Sequence, residues 1–157
     1  MRKKLSVVQI ILTLVAGILP LLDGMFIWYT HNSYVNLGQK PISLNNLMTV
    51  QQICGGPALY WIFNICLAAM LVYCVLELFR EDLVSGKRLM IAIPSAAVLL
   101  CVVMSVALNS YADKFTWEGE IRYASVGLGV LAYVEIAVLA GNLIIELYKQ
   151  FKSDIYF

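Results

Sequence analysis

The sequence has few of the residues from which soluble enzymes usually build a catalytic site. Charged residues make up 13% of the 157 residues, His31 is the only histidine, and the four cysteines form no C-x-x-C pair. A lone histidine without nearby cysteines or acids cannot complete a metal site, and a nucleophile would lack its usual base. The chain also lacks the basic run typical of nucleic-acid binding. We therefore expect no enzyme activity, cofactor, metal or nucleic-acid partner, and a lipid-modifying enzyme stays open without positive support.

The chain is rich in apolar residues: 61% of its residues are hydrophobic and its mean hydropathy is +0.81. A typical soluble domain is about 45–50% apolar and about 25% charged. Four apolar stretches, at residues 5–29, 57–79, 89–108 and 123–148, have the ~20 residues that a helix needs to cross a bilayer. We expect an all-α fold, in which residues 1–157 form one polytopic transmembrane domain, an antiparallel bundle of four spans.

The connections between these spans differ in length and character. Residues 30–56 and 109–122 are predicted to be outer loops, and residues 80–88 a short charged cytoplasmic loop. Within the first outer loop, residues 43–53 have apolar positions at helical spacing and Ser43 as a helix cap. We expect a short interfacial helix there, which lies on the outer face of the membrane or caps the bundle.

The orientation follows from counting basic residues on each side of the predicted spans. One side holds eight and the other three: Arg2, Lys3, Lys4, Arg80, Lys87, Arg88, Lys149 and Lys152, against Lys40, Lys114 and Arg122. Lys and Arg are enriched on the cytoplasmic side, so both termini should be cytoplasmic and the basic first segment an uncleaved anchor. Cys54 alone lies outside the hydrocarbon, and no N-glycosylation motif is present. These features favour a bacterial inner membrane.

Polar residues inside the predicted spans are the candidates for function. Glu135 lies near the middle of the last stretch, and at 100° per residue Asn142 falls within ~20° of it. Asp23 ends a polar stripe on the first span, and Asn64 is the polar group of the second. Such residues either bind a proton, a cation or a substrate amine, or only hydrogen-bond within the bundle. No basic residue lies at the depth of Glu135, so we expect a neutral, hydrogen-bonded acid.

The remaining polar and small residues have simpler interpretations. Glu77 and Glu146, near the inner helix ends, are expected to be hydrated interfacial acids. Small residues follow one side of the last stretch, where another helix could approach closely: Gly129, Ala137, Ala140 and Gly141.

The layout of four spans with a larger first outer loop resembles that of claudin-like four-span families. Those families carry a tryptophan and paired cysteines in the first outer loop, whereas this loop contains only Cys54. Small multidrug transporters also have four spans and an essential membrane acid, which lies in the first helix. Asp23 is too near the outer end to match it well. We assign no family.

Two functions remain open from the sequence. The favoured one is a small non-enzymatic integral membrane protein of the accessory, sensor or immunity type. Its surroundings would be the lipid bilayer, and its partner another membrane protein or a second copy of itself. The alternative is a small proton- or cation-coupled transporter or channel subunit that uses Glu135, with Asp23, Asn64 and Asn142 lining the path.

Overall fold

The computed structural model describes residues 2–53, 57–80 and 87–155. In these residues, four helices are long and apolar enough to cross a membrane. Their bounds are α1 Arg2–Ile18, α2 Ala58–Phe79, α3 Lys87–Asn109 and α4 Val130–Ile155. Each helix packs against its neighbour in the chain, and α1 also packs against α4, which closes the ring.

The bundle has apolar residues both inside and outside. Phe63, Met104 and Leu139 are at most 1% exposed and form part of the core. Ile65 and Leu99 are 65% and 63% exposed on its outer surface. A water-soluble protein rarely exposes extended apolar surface of this kind, so the surface suits a lipid environment.

The predicted all-α fold is wrong, because the chain also forms a four-stranded antiparallel sheet. The structure is 66% helical and 20% strand. The strands are β1 Phe26–His31, β2 Asn36–Ile42, β3 Ala112–Trp117 and β4 Glu120–Leu128. Their order in the sheet is β2-β1-β4-β3. Two hairpins from distant parts of the chain are therefore joined through β1 and β4, with Phe26 opposite Leu128 and His31 opposite Tyr123.

The sheet takes residues that the sequence analysis assigned to the first and last spans and to the two outer loops. α1 ends at Ile18, a short 3-10 turn with Pro20 follows, and Gly24 has a positive φ of 107°. β4 runs directly into α4 through Gly129, whose N–H donates to the Met25 carbonyl oxygen at 2.9 Å. A side chain at Gly129 would clash with the Gly24 carbonyl. This close contact between two backbone segments lies where β4 ends and α4 begins.

A buried helical segment forms in the region where the sequence predicts a short helix. It includes one π-helical turn, Asn46–Val50, and Ser43 Oγ accepts the Asn46 N–H at 3.2 Å, as a cap should. Leu44, Leu47 and Met48 are nearly inaccessible and share a core cluster with residues of the sheet. Burial of these side chains favours a segment that caps the bundle over one that lies on the membrane surface. Most of the predicted cytoplasmic loop 80–88 lies outside the described residues.

Candidate functional site: a buried polar seam and an open sheet

We call the end of the bundle that carries the sheet the sheet end. The opposite end, where α1 begins and α4 finishes, is the terminal end. The buried residues of α1 are Ser6, Gln9, Thr13 and Ala16, which recur every three or four positions and share one face. Its apolar side chains, such as Ile11, are exposed. α1 therefore presents a polar face to the other helices and an apolar face to the surroundings.

A charged network closes the terminal end of the bundle. Lys149 Nζ contacts Glu77 Oε2 and lies 3.1 Å from Glu146 Oε2. Glu77 also accepts hydrogen bonds from Arg2 Nε at 2.8 Å and Ser6 Oγ at 2.6 Å. Two cations and two acids meet here, and all but Arg2 are almost fully buried. Their charges balance, which is what burial of ions requires.

The network continues toward the middle of the bundle as a seam between α1 and α4. Gln9 Nε2 donates to Glu146 Oε2 at 3.2 Å and to the Asn142 carbonyl at 3.3 Å. Asn142 Nδ2 donates to Thr13 Oγ1 at 2.8 Å. Gln150 Nε2 donates to Glu146 Oε1 at 2.8 Å. We call the set Ser6, Gln9, Thr13, Glu77, Asn142, Glu146, Lys149 and Gln150 the polar seam.

A small cavity adjoins the polar seam. It has an empty volume of about 270 Å³, and Gln9, Asn142 and Glu146 are among its lining residues. Gln9 Oε1 and Asn142 Oδ1 have no hydrogen-bond partner in the described part of the chain. Two unpartnered acceptors beside a cavity are the setting in which a buried water is usually found.

Glu135 stands apart from this seam. It is fully buried, and neither carboxyl oxygen has a hydrogen-bond partner among the described residues. It lies five residues into α4, or about 8 Å from the sheet end of that helix, because α4 begins only at Val130. Two polar groups on other helices bond elsewhere: Asn64 Nδ2 donates to the Tyr60 carbonyl, and Thr13 bonds to Asn142. The neutral, hydrogen-bonded acid that the sequence indicates at this position stays a prediction.

The other predicted site residues are scattered. Asp23 is exposed and Asn64 half-buried, and within the described ranges no hydrogen bond or ion pair joins Asp23 to Glu135. Gly129 lies at the junction of strand and helix. Ala137 is exposed, Ala140 and Gly141 are partly exposed, and a side chain at Gly141 would meet nothing within 4 Å. These three small residues lie on the surface of the bundle.

Sequence reasoning missed the network around Glu77, Glu146 and Lys149. It assigned the two acids to hydrated positions and counted Lys149 among the basic residues of the cytoplasmic side, whereas the structure buries all three. One local feature indicated polar partners for these residues. It is the helical spacing of Ser6, Gln9 and Thr13 on α1.

The sheet extends away from the bundle, and its two hairpin tips lie side by side. Tyr34 is 94% exposed at one tip, and Trp117 and Ile121 are about half exposed at the other. A groove of about 680 Å³ between the tips has both turns in its lining. The turns are well defined: Asn32 Oδ1 accepts the N–H groups of Tyr34 and Val35. Glu118 and Gly119 both have positive φ, as a two-residue type I′ hairpin turn requires.

A second depression lies on one face of the sheet, between β1, β2 and β4. We call it the sheet recess. It has an empty volume of about 630 Å³ and is lined by Trp28, Thr30, Leu37, Gly38, Gln39, Lys40 and Arg122.

In the described ranges, no group of three or more His, Cys, Asp or Glu residues could hold a metal ion. The chain matches no protein-family model, no curated protein and no solved structure. The class is therefore defined by the fold alone: a mixed α/β chain in which four apolar helices, each long enough to span a membrane, carry a four-stranded antiparallel sheet at one end.

Proposed function

We propose that this protein is a small integral membrane interaction protein of the accessory, sensor or immunity type. Its four helices anchor it in a membrane, for which a bacterial inner membrane is the best candidate. The excess of basic residues at the terminal end supports a cytoplasmic position for both termini. The sheet then stands on the outer side and presents its tips to a partner.

The observation that carries this proposal is the exposure of large apolar side chains at the joined hairpin tips. Tyr34, Trp117 and Ile121 lie where the sheet is farthest from the bundle. Aromatic residues are enriched in protein interfaces, and β1 pairing with β4 holds the two tips together. The sheet orders the two long connections between helices. Connections that only joined one helix to the next would not need such a sheet.

The edges of the sheet indicate that recognition uses the tips and not the addition of a strand. Edge strand β2 contains Lys40 and Pro41, and edge strand β3 contains Asp113 and Lys114. Charged residues and proline on an edge strand oppose pairing with another chain.

Site-specific photo-cross-linking tests the proposal in cells. A photoreactive phenylalanine analogue at position 34 or 117 should give a discrete adduct larger than the 17.5 kDa chain. The matched control is position 112, which is exposed on the same sheet and pairs with Ser125, nearer the bundle. A second control is the exposed position 65 on α2. Adducts only from position 65, or from none of the four, would contradict recognition through the tips.

The second candidate is a proton- or cation-coupled transporter or channel subunit, and burial of Glu135 without a partner favours it. A transport path to Glu135 would have to be hydrated. With Cys54, Cys66, Cys74 and Cys101 replaced by serine, a cysteine at position 139, one turn from Glu135, tests for water. Reaction with a membrane-impermeant thiol reagent would favour transport. A failure to react, with a cysteine at exposed position 34 labelled in the same preparation, would reject this function.

A further inference from the structure

We propose that the sheet recess binds a phosphate group, with Lys40 and Arg122 as its cationic ligands. The inference rests on the proposed position of the sheet outside the membrane, and it names a ligand chemistry for one face of that sheet. It concerns the recess and not the hairpin tips. The two can therefore be tested separately.

The register of the sheet explains why a recess exists. Thr30 lies opposite Gly38, and Trp28 lies opposite Lys40. Side chains of paired residues emerge on the same face of a sheet. Because Gly38 has no side chain, the face is open beside Thr30, while the larger Trp28 and Lys40 stand at one end of the opening. Thr30 contributes a hydroxyl group that can donate to an acceptor.

Arg122 closes the other end of the sheet recess. Val126 of β4 pairs with Trp28, and Arg122 lies four residues further toward the tip. At about 3.3 Å per residue and about 4.8 Å between strands, Lys40 and Arg122 are roughly 16 Å apart at their backbones. Both long side chains line the same recess, so a ligand that contacts both must lie between them.

The charges at the recess favour an anion. None of its lining residues is acidic. The one ion pair of Arg122 in the described residues is to Glu120, whose carboxylate is 3.9 Å away and whose side chain is 64% exposed. Such an exposed pair contributes little. Burial, with a smaller effect of Asp113, raises the pKa of Tyr111, the ring that contacts Trp28, so this tyrosine adds no negative charge at neutral pH.

Arg122 is held in place by an aromatic ring, and one of its N–H donors has no partner among the described residues. Its guanidinium lies 6.0 Å from the centre of the Trp117 ring, a cation–π distance. Its Nε is buried and has no hydrogen-bond partner among the described residues, which is costly until an acceptor arrives. A phosphate monoester carries about 1.5 to 2 negative charges at pH 7 and presents several acceptor oxygens. It matches two cations better than a carboxylate does.

The position of the recess argues against a phospholipid headgroup as the source of this phosphate. Val126 lies four residues before α4 and Arg122 eight, or about 13 and 26 Å along an extended strand. The headgroup layer is only about 5 to 8 Å thick on each side of the hydrocarbon. The phosphate should therefore belong to a soluble or partner-borne group.

Nuclear magnetic resonance of the purified full chain in detergent tests this inference, with the three indole N–H signals as reporters. Trp28 lines the recess, whereas Trp61 lies on α2 and serves as an internal control. We expect glycerol phosphate, added at constant ionic strength, to shift the Trp28 signal saturably and to leave Trp61 in place. Lys40→Gln and Arg122→Gln should each weaken this response about tenfold or more. The matched control Lys114→Gln, which replaces an exposed lysine on β3, should keep it.

Three outcomes would overturn the inference. They are a Trp28 signal that does not saturate, an equal response to acetate, and an unchanged response in both variants while the Trp61 signal shows an intact fold. Vesicles that contain phosphatidylglycerol distinguish the source, because a response to vesicles alone would contradict a soluble or partner-borne phosphate. Cross-linking at positions 34 and 117 does not depend on these residues, so either proposal can fail without the other.

Discussion

Removal of the Lys149 ammonium group should destabilise the bundle more than any other single change at the terminal end. Lys149 is the only buried cation in contact with both Glu77 and Glu146, within the described residues. In Lys149→Met the aliphatic volume is kept, but two almost inaccessible carboxylates lose their shared partner. Breaking a buried ion pair by removing one partner costs about 3–5 kcal/mol.

The loss should fall at the lower end of that range, because both acids keep other partners. Glu77 keeps Arg2 and Ser6, and Glu146 keeps hydrogen bonds from Gln9 and Gln150. We therefore expect Lys149→Met to lower the free energy of unfolding by about 3 kcal/mol. Addition of Glu146→Gln removes the uncompensated charge, so the double variant should recover more than half of the loss.

Equilibrium unfolding in mixed micelles, with sodium dodecyl sulfate as the denaturant, measures these differences. Lys3→Met is the matched control, because Lys3 is an exposed lysine on α1, and it should change stability by less than about 0.5 kcal/mol. The reasoning fails if Lys149→Met matches this control, or if the double variant is less stable than Lys149→Met. Either result would mean that the buried charges are not balanced as the contacts indicate.

Three further changes test other parts of the fold by the same measurement. Glu135→Leu should raise the free energy of unfolding by about 1–3 kcal/mol, since it removes a buried carboxyl group without a partner; a decrease would show that the carboxyl group is hydrogen-bonded in the membrane. Gly129→Ala should cost about 1–3 kcal/mol by forcing the chain away from the Gly24 carbonyl, whereas Gly141→Ala, with open space around it, should change little. Thr13→Val should cost about 0.5–2 kcal/mol through the lost bond to Asn142, and an unchanged stability would mean that the seam does not hold α1 against α4.

The bounds of two of the four long helices were predictable to within two residues. The predicted spans 57–79 and 89–108 correspond to α2 Ala58–Phe79 and α3 Lys87–Asn109. In both, charged or loop-forming residues bound the apolar run. The first and last spans were predicted too long on their sheet side, because the apolar residues of β1 and the second half of β4 continue the hydrophobic runs of their helices. A short apolar run does not distinguish a strand from a helix by periodicity alone.

The sheet could not be found from local pattern for a second reason. The pairing that joins its halves connects Phe26 with Leu128, about a hundred positions apart in the chain. Neither hairpin has a strong local pattern: β2 contains Gly38 and Pro41, residues that are depleted in strands. Even the turn at Glu118 and Gly119 lacks the Asn-Gly or Asp-Gly pair that marks a two-residue hairpin, and one turn does not predict a four-stranded sheet.

The charged network at the terminal end was not predicted, for a related reason. Hydropathy assigns a charged residue near the end of a span to water, because it does not include the partner on another helix. Glu77 on α2 and Lys149 on α4 each suggest a hydrated interface when considered alone. Together with Arg2, Ser6 and Glu146 they form a charge-balanced contact among three helices.

This balance changes where recognition should be sought. Most polar groups of the seam already bond to one another, so the seam acts as a fixed link between helices and retains little capacity for a ligand beyond a water in its cavity. Glu135 lacks a hydrogen-bond partner among the described residues, and it is not among the residues that line the cavity beside the seam. Unused binding capacity is instead concentrated in the sheet, in the exposed side chains of Tyr34 and Trp117 and in the free donors of Lys40 and Arg122. A protein that recognises a partner should therefore lose function through changes in the sheet that leave its stability intact, whereas changes in the seam should lower both together.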